Sequence, residues 1–169
     1  MSGKINPEDL PYRPCVGIML INDRGLVWIG NRINNTEAVP GNPFTWQMPQ
    51  GGIDEGEKPR AAALREMKEE IGTDKAEVIG KTGGWITYDL PPDLVGKALK
   101  GKYRGQKQKW FALRYTGTDA DFDLTADAHQ EFSEWRWAEV SELPGLVVPF
   151  KRQVYVEVVA QLGHLAVPV

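Results

Sequence analysis

The chain has 169 residues, 41% hydrophobic and 25% charged, enough for one domain with a packed core and too few for two ordinary ones. A net charge of −3 argues against general electrostatic coating of nucleic acid, DNA included, and leaves room for a local basic site facing a terminal phosphate. Cys15 is the lone cysteine, which excludes an intrachain disulfide and fits a reducing compartment.

The opening MSGKINPEDLPYRP has no apolar core of signal-peptide length, and no stretch is long enough to span a membrane. The cytoplasm is the expected location, with no membrane partner. Residues 15–21 and 26–31 are apolar runs joined by Asn22-Asp23-Arg24-Gly25, which predicts a β-hairpin with Cys15 buried in its first strand rather than acting as a nucleophile. Residues 34–45, with Pro40, Gly41, Asn42 and Pro43, read as a long surface loop of a kind often functional or mobile. Trp46-Gln47-Met48-Pro49 then leads into the Gly51-Gly52 turn.

A helix is predicted from about Pro59, a residue favoured in a first turn, to Gly72, a good C-terminal stop. Ala63, Leu64, Met67 and Ile71 share its packing side, and Glu66, Glu69 and Glu70 share a neighbouring one. Val78–Ile79 and Trp85–Tyr88 read as strands, the second closed by Pro91-Pro92, and residues 93–100 as a helical turn. Lys109–Tyr115 and Glu134–Trp137 are further strands. A last amphipathic helix from about Lys151 to Leu162 turns Val154, Val158 and Leu162 inward. Helices interrupting a mixed set of strands imply a layered α/β arrangement, one domain over residues 1–169 with its core at about 13–162.

The chemistry on offer is carboxylate chemistry. Residues three and four apart on a helix share a face, so Glu66, Glu69 and Glu70 lie close enough to repel one another and hold protons more tightly than free Glu. A hard, oxygen-seeking divalent cation, Mg²⁺ or Mn²⁺, relieves that repulsion. His129 and His164 are isolated, which argues against zinc and against a His-activated nucleophile. A Glu-rich helix is in most proteins simply a solvated face; here the flanking residues decide otherwise. Gly51, Glu57, Arg65-Glu66, Glu69-Glu70 and Gly72 fix seven identities at set spacings. At ~5–7% usage each, chance agreement is on the order of 10⁻⁷ over a chain this long.

This pattern is the Nudix box, and the chain resembles the Nudix hydrolases; Thr73, where an aliphatic residue is usual, is a departure at a packing position. The resemblance implies an α/β/α sandwich with a mixed β-sheet, two or more bound Mg²⁺ ions with substrate, and hydrolysis of phosphoric anhydride bonds. It assigns Glu66, Glu69 and Glu70 as metal-binding and catalytic residues, with Glu70 bridging and the carbonyl of Gln50 or Gly51 helping. Gly52, Glu57, Arg65 and Gly72 become structural box residues, Glu57 and Arg65 through a salt bridge. Glu131, ahead of Phe132-x-x-Trp135-x-Trp137, matches a distal glutamate that binds a further metal or acts as general base.

Arg13-Pro14, Trp46 to Gly52, Gly105-Gln106-Lys107-Gln108-Lys109-Trp110-Phe111, Glu131-Phe132 and Phe150-Lys151-Arg152 with Tyr155 narrow the likeness. From about Arg13 to Val159 the chain is similar to the bacterial RNA pyrophosphohydrolases and the related diadenosine polyphosphate hydrolases. That likeness places Arg13, Arg32, Lys107, Lys109 and Lys151 near phosphates or nucleotide backbone. It places Val148 and Phe150 against a base, with Trp85, Tyr88 and Trp110 as weaker stacking candidates. The implied partner is a 5′-triphosphate RNA end, whose trimming belongs to messenger RNA decay, or a dinucleoside polyphosphate split asymmetrically. A non-catalytic nucleotide-binding module is the remaining alternative, and an intact set of box glutamates speaks against it.

Overall fold

Tyr12–Ile21 (β1) runs through the middle of a mixed sheet in the computed structural model, which describes residues 6–33 and 44–169. Its side chains alternate between faces. Met19 and Ile21 join a core with Val27, Ile29, Trp110 and Ala112, while Val16, Ile18 and Leu20 join another with Phe111 and Leu113. A strand covered on both faces needs apolar residues at nearly every position, hence the unbroken run from Cys15 to Ile21.

The remaining strands are β2 (Val27–Arg32), β3 (Trp46–Gln47), β4 (Gln50–Gly52), β5 (Ala76–Lys81), β6 (Ile86–Asp89), β7 (Gly105–Tyr115) and β8 (Phe132–Ala138). β1 and β7 are parallel, from Tyr12 opposite Gly105 to Ile21 opposite Arg114; the other pairings are antiparallel. The predicted hairpin is present. Asn22 Oδ1 accepts the Arg24 and Leu26 N–H groups at 3.0 and 2.9 Å, and Gly25 takes the left-handed φ of 80° that the turn needs. The hairpin pairs only at its base, Ile21 opposite Val27. Further along, β4 takes the place beside β1 at Cys15–Gly17, and β2 pairs instead with β8 and β3. The sheet divides there, and the cleft so opened holds the candidate site.

Helix α1 (Pro59–Ile71) buries Ala62, Ala63, Met67 and Ile71 on one face of the sheet, with Leu64 half-buried beside them. Gly72, at φ 87°, ends it as expected. A short α2 (Leu143–Leu146) leads to α3 (Arg152–Leu162), which buries Val154, Tyr155, Val158 and Leu162 on the opposite face. The result is the expected α/β/α sandwich. Among the described residues no helix is long and apolar enough to cross a membrane.

Several elements differ from their predicted extents. β7 starts at Gly105 rather than Lys109, and the predicted approach to the Gly-Gly turn is itself two strands, β3 and β4. Short polar strands carry no hydrophobic period to read. The helical turn predicted over 93–100 is present, with Leu94 and Ala98 N–H groups donating to Pro91 and Leu94 at 2.9 Å each, and a 3₁₀ turn follows at Leu99–Gly101. Residues 34–43 of the predicted long loop lie outside the described residues.

Candidate active site

A cavity of about 300 Å³ opens in the cleft, with α1 supplying its acidic wall. Glu66, Glu69 and Glu70 all line it, joined by Glu131 from the segment before β8. Glu131 is placed by the β2–β8 pairing: its carbonyl accepts the Ile33 N–H at 3.0 Å, beside the irregularity at Asn31–Arg32. Its carboxylate meets His129 Nε2 at 3.4 Å. Arg13 and Arg32 line the same cavity and bring positive charge to it.

Glu70 is the most constrained of the four. It is 8% exposed, and its Oε2 is buried without a hydrogen-bond partner among the described residues. Burial pushes its carboxyl well above the usual range, and the Glu66 and Glu131 charges push the same way. Arg32 and a hydrogen bond from the Gln50 backbone act against them. Burial likewise raises Glu66, opposed by Arg65. An orphaned buried carboxylate oxygen amid like charges is what a bound divalent cation would satisfy, so the residues fit such an ion. Among the described residues, no three acidic or His side chains gather into a ready-made cage. Arg65 accounts for this: its Nη1 donates to Glu66 at 3.0 Å and to Glu69 at 3.1 Å, holding both aside. Mg²⁺ in any case is usually held by one or two carboxylates and keeps much of its water.

Backbone pairing selects between the two candidate carbonyls. Ile18 N–H donates to the Pro49 carbonyl and Ile53 N–H to that of Pro14, at 2.9 and 3.0 Å. Antiparallel pairs alternate in bonding, so Gly51 opposite Val16 is committed to the ladder and the Gln50 carbonyl stands outside it. The Gly52 carbonyl accepts from Arg65 Nη2 at 2.9 Å. Gln50 is the carbonyl left for a cation.

The predicted salt bridge between Glu57 and Arg65 is bidentate, with Nε and Nη2 at 2.8 and 2.9 Å. With the Asp54 N–H also donating, Arg65 holds the Glu57 carboxyl down to about 2 from 4.5. A depressed carboxyl contributes stability that is present above the unfolded value and lost as pH falls through the folded one. Glu57→Gln should therefore flatten the decline of the thermal midpoint between pH 4.5 and about 2. An acid limb identical to the wild type would show that the pair does not couple to folding.

Not every expected substrate contact reaches the cavity. Lys107 and Lys109 do not line it; both ammonium groups sit 4.6 Å from the Trp85 ring centre. They alternate with Gln106 and Gln108, and β7 is an interior strand, not an edge. Trp85 is correspondingly 41% exposed, whereas Tyr88 and Trp110 are core. Val148 and Lys151 are buried, and Phe150 packs on Tyr88 with ring centres 5.7 Å apart. These three belong to the α3-side core rather than to the cavity wall, because the turn before α3 tucks inward. Cys15 is fully buried and its thiol is pushed up to about 11 by desolvation, so it stays protonated at neutral pH.

Sequence reasoning missed Gln47, Leu99, Gln106, Asp127 and His129 as cavity residues. Gln106 belongs to a buried chain: Trp110 Nε1 donates to Gln108 at 3.0 Å, and Gln108 Nε2 donates to Gln50 at 2.8 Å and to Gln106 at 2.9 Å. Glutamines alternating along an apolar strand were its signal, since buried amides require partners.

The model of the NUDIX domain matches residues 11–158. The chain is 57% identical to an RNA pyrophosphohydrolase of Rhodospirillum rubrum, covering 97% of this chain and 94% of the relative. It is 56% identical to one of Cereibacter sphaeroides, covering 98% and 100%. Its fold is similar to the Escherichia coli dihydroneopterin triphosphate pyrophosphohydrolase, with TM-score 0.62 and 20% identity over 86% of this chain and 94% of that one. A Caenorhabditis elegans Ap4A hydrolase gives TM-score 0.60 and 18% identity over 88% and 96%.

Proposed function

The chain belongs to the Nudix family, hydrolases that act on pyrophosphate bonds and generally use divalent metal ions, and from that premise we propose that it removes pyrophosphate from 5′-triphosphorylated RNA to leave a 5′-monophosphate end. The observation that carries this reading is identity above half with relatives named RNA pyrophosphohydrolase, along nearly the whole of both chains. The cavity chemistry is compatible with it. Two arginines and five carboxylates on one small volume are an arrangement for a polyphosphate accompanied by cations.

The ion proposed is Mg²⁺, with Mn²⁺ as a substitute and two or more ions with substrate, held by Glu66, Glu69, Glu70, Glu131 and the Gln50 carbonyl. When bound, it neutralises phosphate oxygens and lowers the pKa of an attacking water. The chain's own residues do the rest. Arg65 fixes Glu66 and Glu69 on the rigid helix, and its bond to Gly52 ties that helix to the turn. Arg13 and Arg32 bind and orient the phosphates. Glu131, half-buried with His129 Nε2 3.4 Å from its carboxylate, is the residue assigned to take a proton from water.

A competition in one tube between 5′-triphosphate RNA and diadenosine tetraphosphate, in Mg²⁺, tests the substrate. The expected outcome is a higher kcat/KM for RNA with release of pyrophosphate. Preference for the dinucleotide, splitting to ATP and AMP, would replace the RNA reading. Absence of turnover on either would return the chain to the binding-module alternative.

A further inference from the structure

A second, smaller cavity of about 260 Å³ adjoins the acidic one, and Arg13 and Leu99 line both. Lys100, Lys102 and Tyr103 complete it. Its wall has an unusual backbone. Leu99 and Lys100 adopt left-handed φ values of 54° and 60°, and Gly101 follows at 70°. Side chains other than those of Gly, Asn and Asp avoid that region, and residues held there cluster at ligand sites. The turn is fixed by Gly101 N–H donating to the Ala98 carbonyl at 3.0 Å. A Cβ on Gly101 would meet the Gly96 carbonyl oxygen at 2.8 Å. The effect is to set Leu99 as a partition between the cavities and to leave Lys100 and Lys102 exposed beyond it.

The head groups there have no direct ion-pair partner among the described residues. Among the described residues, no carboxylate lies within 4.0 Å of the Arg13, Lys100 or Lys102 head groups. In a chain of net charge −3, three cations around one small pocket repel one another unless an anion enters. Arg13 faces both ways: its charge acts on Glu66 on one side and closes the basic pocket on the other.

We propose that this pocket receives the internucleotide phosphates of the RNA strand behind its 5′ end, Arg13 marking the boundary between terminal polyphosphate and chain. The inference rests on the RNA reading given above. The acidic cavity must hold the reacting phosphates with their cations, so a basic pocket next door, with no carboxylate in its lining, suits phosphodiesters that need no cation in the reaction. Tyr103 and Leu99 give the pocket apolar walls for the adjoining ribose or base.

The test uses triphosphorylated RNA of about 10 nucleotides and a nucleoside 5′-triphosphate, which carries the same terminal phosphates and no internucleotide phosphate. Lys100 and Lys102 are exposed, so Lys100→Gln with Lys102→Gln should fold normally. The ratio of kcat/KM for long over short substrate should fall about tenfold in this variant at low salt, and the salt dependence for long RNA should weaken by roughly 0.7 per lost phosphate contact. Lys100→Arg with Lys102→Arg should keep the wild-type ratio, since charge and not shape is at issue. An equal fall on both substrates would assign the pocket to the terminal phosphates instead and overturn the proposal. An unchanged ratio and salt slope would overturn it too. Failure of the RNA reading is distinguished by the wild type, which would then release no pyrophosphate from the RNA.

Discussion

Glu70→Gln is expected to lower kcat by about 10³-fold or more while raising the thermal midpoint of the metal-free protein. Glu70 Oε2 has no hydrogen-bond partner among the described residues, and burial followed by the Glu66 and Glu131 charges disfavours its ionised form. In the absence of a cation that carboxylate is a liability, because burying a charge beside like charges is costly. The amide keeps the shape and can still accept from the Gln50 N–H, yet carries no charge for a cation to bind. Loss of transition-state stabilisation of about 4 kcal/mol corresponds to ~10³ in rate. Relief of the buried charge should lift the midpoint by roughly 2–4 °C per 1 kcal/mol for a chain of this size. Activity and stability moving in opposite directions would mark Glu70 as kept for function at the expense of the fold. A variant with near wild-type turnover would remove Glu70 from the metal site; lower stability with lost turnover would make its role structural.

The parts of the molecule legible in sequence are those with local determinants. Pro59 and Gly72 set the ends of α1, and Asn22 with Gly25 sets the β1–β2 turn, each within a few residues of the effect. The placement of Glu66, Glu69 and Glu70 on one cavity wall follows from helix geometry alone. Other features depend on strands brought together from distant parts of the chain. Gln106 faces the cavity and Lys107 does not because β7 lies parallel to β1 in one register, with Arg13 opposite Gln106. A shift of one residue would exchange the two sets of side chains. The same holds for Lys151, which the likeness places near phosphates and which is 2% exposed, its Nζ 5.8 Å from the Tyr88 ring centre. The left-handed pair Leu99–Lys100 carries no glycine to announce it.

Gly51→Ala should cost about 10²-fold in kcat/KM and leave the fold nearly intact. Gly51 pairs opposite Val16 on β4, and the Glu66 carboxylate is seated directly over its α-carbon. A methyl group there overlaps that carboxylate, which is only 13% exposed and is held by Arg65 at 3.0 Å. The backbone has no objection, since Gly51 is not among the glycines with positive φ. The far end of Glu66 must therefore swing away, breaking its contact with Arg65 and leaving the cavity wall short of one of the carboxylates proposed to hold the cation. Displacement of a catalytic group by about 1 Å can cost ~10² in rate, whereas repositioning a side-chain terminus should cost only about 1 kcal/mol of stability. Gly52→Ala provides the contrast, because its Cβ would meet Arg13 Nη2 at 2.6 Å rather than a carboxylate. It should raise KM for the polyphosphate and spare the cation affinity that Gly51→Ala lowers. Equal loss of metal affinity in both variants would mean that the turn acts as one rigid unit and that Glu66 and Arg13 have no separable roles.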